Sequence, residues 1–70
     1  MIFLDPYIKQ MRHEFTKVDR IELDRTLLEH EAQQVAAMLV KFFPLFLQRK
    51  IQYSVQPTTY GWAVIAELAR

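Results

Sequence analysis

Ile8, Met11, Phe15 and Val18 recur at spacings of three and four. Lys9, Gln10, Arg12, His13, Glu14 and Lys17 fill the positions between them. That pattern predicts an amphipathic helix. Asp5 is placed to cap its free amides, and Pro6 suits the first helical position, where a missing N–H costs nothing. Farther on, Ile21, Leu28, Val35 and Phe42 stand seven apart. Ala32, Leu39 and Phe46 occupy the alternate row of the same heptads, which Arg25 interrupts. This seam predicts a second helix running up to Pro44. Arg20–Asp24 and Arg25–Glu29 would be ion pairs at i,i+4 on its outer face.

The two stripes do not form one helix. A continuous helix over residues 6–43 would be about 57 Å long, against about 30 Å for a compact 70-residue domain. Its apolar stripe would also turn by about 110° at 100° per residue, beyond the ~20° per heptad that supercoiling absorbs. A break near Asp19 is expected. Asp19 followed by Glu22 approximates a capping box.

"VAAMLVKFFPLFLQRK", residues 35–50, is apolar almost all round until its basic end. A helix apolar on every side is buried on every side, and Pro44 ends it because its ring clashes one turn back. Beyond Pro44, "LFLQRKIQYSVQ" reads as a short helix with Pro44 at its first position, or as a half-buried strand, because Ile51, Tyr53 and Val55 alternate with Gln52, Ser54 and Gln56. "QPTTYG" then punctuates the chain. "TTYGWAVIAELAR" reads as a helix capped by Thr58 or Thr59, or as a strand through "WAVIA" that pairs back on 51–55. Its alanines, Glu67, Leu68 and Arg70 favour the helix. The expected fold is therefore a single all-α domain, a small dimeric bundle of three to four helices. The alternative is α+β with a C-terminal β-hairpin over residues 51–67.

Size makes a partner matter. A 70-residue core rarely supplies more than ~3–5 kcal/mol, and the absence of cysteine removes disulfides as a support. Very good helix packing or a second chain remains. The seam residues Leu28, Val35, Leu39, Phe42 and Phe46 are the candidate interface together with Phe43 and Trp62, with Arg49 and Lys50 at its wet rim. On this reading Leu39→Asp breaks a homodimer.

Charge narrows the partners. The net charge is +1, too small a footprint for a nucleic-acid binder. The longest apolar stretch carries Lys41 and Pro44 and is shorter than the ~20 residues of a membrane span. "MIFLDPYIKQ" lacks the basic start and long apolar stretch of a signal peptide. The chain reads as cytoplasmic and complete from Met1.

No motif carries catalysis or a cofactor. His30 would need a second histidine at position 34 for a zinc-protease helix, where Gln34 stands. A di-iron Glu-x-x-His set is missing, because Leu27 precedes His30 and Gln10 precedes His13 by three. Ser54 lacks a nucleophile elbow, and Gly61, the one glycine, leaves no phosphate loop. No metal and no cofactor is expected, and the chain is not read as an enzyme. The expected function is a non-catalytic protein-interaction module, a homodimer that regulates or inhibits a larger partner. Small accessory proteins of phages and mobile elements have this profile. A DNA-binding regulator and a membrane-surface protein using residues 35–47 are the alternatives.

Overall fold

In the computed structural model, which describes residues 3–69, the chain runs α1 (Asp5–Glu14), β1 (Arg20–Leu27), α2 (Glu29–Phe42), β2 (Leu45–Phe46), β3 (Arg49–Thr58) and β4 (Gly61–Leu68). The four strands form one antiparallel sheet in the order β1-β4-β3-β2. This is α+β, and it overturns the expected all-α bundle of three to four helices. The molecule measures 30 × 24 × 18 Å, so no helix as long as residues 6–43 could fit inside it.

β4 organises the sheet. Ala63, Val64, Ile65 and Ala66 are buried in succession. A strand apolar on both faces belongs in the middle of a sheet, with a neighbour on each edge. The tight turn at Thr59 and Tyr60 supplies the first neighbour, pairing Ile51 with Leu68 through Thr58 with Gly61. The hairpin of the alternative fold is thus present. The second neighbour is β1, which the heptad pattern had assigned to a helix.

β1 shows why. "RIELDRTL" contains good helix formers, yet Ile21 and Leu23 alternate with Arg20 and Glu22, and both apolar residues are buried. Intrinsic helix preference is worth only a few tenths of a kcal/mol per residue. Filling the open edge of β4 outweighs it. Ile21 consequently leaves the expected heptad seam, and the outer ion pairs do not form. Arg25 Nε instead donates to Glu22 Oε1 at 2.7 Å. Asp19 caps no helix. Its carbonyl accepts the Leu68 N–H at 2.8 Å, and its carboxylate meets Arg49 Nη1 at 3.5 Å.

Both helices lie on one face of the sheet. Met11 and Phe15 from α1, with Ala32, Val35 and Leu39 from α2, pack on Ile21, Leu23, Ile51, Val64, Ala66 and Leu68. α1 begins one residue earlier than the sequence suggested, with Leu4 in the cap position and Asp5 in the first turn. Asp5 makes no capping bond. α2 starts after the chain reverses at Leu28, whose N–H donates to Glu31 Oε1 at 3.0 Å. α2 ends at Phe42, with Phe43 as its C-cap just before Pro44, as the proline requires. No helix of the described residues is long and apolar enough to cross a membrane.

Candidate protein interface

The structure divides the expected interface residues in two. Val35 and Leu39 are buried within this chain, against its own sheet. They are core, and Ile21 lies in β1, so the seven-residue spacing makes no exposed seam along one helix. Phe43, Phe46 and Trp62 are half-buried against the same core. Leu28, in the turn before α2, and Phe42, at the end of α2, are exposed. Arg49 is held by its Nε bond to the Ala69 carbonyl at 3.0 Å and by Asp19.

A different apolar cluster emerges around β2. Phe42, Leu45 and Leu47 are exposed, Leu47 to 77%, and Val40 stands out from α2 nearby in sequence. Lys41 Nζ lies 5.6 Å from the centre of the Phe42 ring, a cation–π distance. Leu45 pairs with Lys50 across β2 and β3. Sequence reasoning missed Leu45 and Leu47 as exposed residues because so apolar a run asks for burial on all sides.

The turn that presents Leu47 is strained. Phe46 pairs with Arg49, leaving Leu47 and Gln48 as a two-residue loop with φ of 51° and 66°. Two successive left-handed residues make a type I′ turn, which ordinarily takes Asn-Gly. Each side-chain-bearing residue in that conformation costs about 1–2 kcal/mol. Such strain is commonly found where a side chain has a task.

Along β3 runs a groove of 560 Å³. Its lining includes Val40, Lys50, Gln52, Ser54, Ile65 and Glu67. Ile65, flanked in register by Glu22 and Ser54, is 4% exposed although it lies on the face away from the helices.

Hydrogen bonds fix the elements around these surfaces. The Tyr7 hydroxyl donates to Asp24 Oδ2 at 3.3 Å, tying α1 to β1. Burial first, then the Asp24 charge, raises the Tyr7 hydroxyl above its ordinary value. Burial also pushes the Asp24 carboxyl up. Hydrogen bonds from the Thr26 backbone and hydroxyl, the Arg25 backbone and Tyr7 together outweigh that effect and hold it below the usual range. Burial raises the Tyr53 hydroxyl strongly.

Among the described residues, no three histidine, aspartate or glutamate side chains converge in a metal-holding group. His13 Nε2 lies 3.4 Å from Lys17 Nζ on an exposed helix face. No protein family, curated protein or solved structure matches the chain.

Proposed function

We propose that this chain is a small non-catalytic protein-interaction module of the cytoplasm, which regulates or inhibits a larger protein by covering part of its surface. One observation carries this reading: a strained two-residue turn holds Leu47 77% exposed, beside exposed Leu45 and Phe42. An unfavourable turn and an unburied leucine are both costs to the free chain. A partner that buries Leu47 offsets them. Neighbouring Lys41 and Lys50 give the cluster a basic surround, the rim that interfaces ordinarily have.

A second copy is one protein that could cover the same cluster. A homodimer, expected from the sequence on another surface, would then be formed by Phe42, Leu45 and Leu47.

The test compares the wild-type chain with a Leu45→Asp, Leu47→Asp double variant as bait in the native cytoplasm. Both residues are exposed, so circular dichroism and melting temperature should agree between the two baits. The wild type should retain a specific protein that the variant loses by at least about tenfold, or ~1.4 kcal/mol. Equal capture by both baits would refute the reading. Light scattering at micromolar concentration reports the homodimer separately, and a monomer there rules it out.

A further inference from the structure

We propose that the open edge of β3 takes an extended segment of the partner protein as an added strand. The proposal rests on the interaction reading above and assigns its partner a chemistry.

The ladder itself identifies the free groups. The Ala69 N–H donates to the Lys50 carbonyl, and the Ile51 N–H donates to the Pro44 carbonyl on the other side. Backbone groups alternate between the two edges of an antiparallel strand. Gln52, Ser54 and Gln56 therefore pair with β4, in register with Glu67, Ile65 and Ala63. Tyr53 and Val55 direct their N–H and carbonyl groups away from it. β2 covers that edge only at Arg49 and Lys50. Among the described residues, no strand pairs with the edge at Tyr53 or Val55.

The two outer edges of the sheet differ. β1 carries irregularities in register between Glu22 and Asp24 and between Asp24 and Leu27, and its charged Arg25–Glu22 pair is exposed. Bulges and charges of that kind discourage added strands. Residues 52–56 of β3 are regular in register and uncharged. Val40, 56% exposed on α2, lines the same groove as Gln52, Tyr53 and Ser54. A free strand edge beside a helix is the geometry in which extended peptides are bound by strand addition.

The window suits a short free segment better than a second copy. It is closed at one end by Pro44 and β2, and at the other by Pro57, which has no N–H to offer. Pairing Tyr53 with the second copy's Val55 sets the second copy's Thr58 opposite Lys50, where Leu45 already sits. Sliding by one pair sets the second copy's Pro57 opposite Tyr53 and leaves the Tyr53 carbonyl without a donor. A segment of about four residues, spanning ~13 Å, meets neither obstacle. Of the charged residues lining the groove, Arg20 stands opposite Glu67 in register, which leaves Lys50 as the uncompensated charge. The segment therefore carries an apolar side chain toward Val40 and an acidic one near Lys50.

The probe is a displayed library of random heptapeptides panned against the full chain, with enriched sequences resynthesised. Peptides alternating apolar and acidic residues should be enriched. The chain is short enough for chemical synthesis, so single amides can be replaced by esters. An ester in place of the Val55 N–H should weaken peptide binding at least tenfold and leave the melting temperature unchanged. An ester at Ser54, whose N–H pairs with β4, should lower the melting temperature instead. No enrichment, or binding indifferent to esters at both Tyr53 and Val55, would overturn the proposal. So would a dimer by light scattering in which those two amides are protected from exchange, since the occupant would then be a second copy. Phe42, Leu45 and Leu47 stay intact in every ester variant, so failure at the edge is distinct from failure of the apolar cluster.

Discussion

The Tyr53 hydroxyl donates to the Phe43 carbonyl at 2.7 Å, tying strand β3 to the last residue before Pro44. Pro44 stops α2, and the carbonyls of a final helical turn lack intrahelical donors. Tyr53 supplies one of them from ten residues on. Its oxygen also lies 3.6 Å from Met11 Sδ, so the same side chain touches α1. Tyr53→Phe keeps the ring and loses the bond. It should cost about 1–2 kcal/mol, because a partly buried carbonyl is left unpaired. Urea unfolding measures this, and an unchanged midpoint would show that the bond contributes nothing.

Leu47 and Gln48 separate stability from binding. Replacing them by Asn and Gly matches the type I′ turn and relieves two left-handed residues. Little burial is lost, since Leu47 is exposed. The double variant should melt higher, by a free energy of about 1 kcal/mol or more, and should capture less of the partner. A lower melting temperature would mean that the turn is not strained.

Gly61 has a φ of +150°, and a Cβ built there would lie 2.8 Å from the Leu27 carbonyl oxygen and 3.1 Å from the Thr26 carbonyl carbon. The obstacles are backbone, which cannot swing aside. Gly61→Ala should therefore destabilise by about 1–3 kcal/mol and loosen β1 from β4. Amide exchange along β1 should accelerate in this variant. Unchanged exchange would place the strain elsewhere.

Asp24 predicts an acid response. Its folded value is depressed, so its contribution is present above the unfolded carboxyl value and is lost as pH falls through the folded one. The Thr26 N–H bond to Asp24 Oδ1, 3.0 Å, and the Tyr7 bond weaken together on protonation. The wild type should lose stability on acidification more steeply than Asp24→Asn. Parallel pH profiles would show that Asp24 does not set the acid response.

Leu39 is fully buried beside Val35 and Ala32 in the core of this chain. Leu39→Ala should cost about 2–5 kcal/mol and leave the oligomeric state of the folded fraction unchanged. A variant that stays folded but changes its mass by light scattering would restore Leu39 to an interface.

Some elements were legible in the residues themselves. Local steric and periodic rules set α1, the break near Asp19 and the stop at Pro44, and offered the alternation of 51–56 as one of two readings. Those rules act within a few residues, and nothing distant competes with them there. β1 was not legible. Its helix formers and the accidental seven-residue spacing of Ile21 with Leu28 and Val35 pointed to a helix. The choice was made by β4, some forty residues away, whose successive buried residues Ala63–Ala66 require a strand on both edges. The same long-range pairing decided the interface. It buried Val35 and Leu39 inside the chain and turned Leu45 and Leu47 outward on a hairpin. It also left Tyr53 and Val55 facing an open edge. Sequence alone determines which residues seek burial, because that depends on the side chain. Which face receives them depends on which strands pair, and only the tertiary structure settles that.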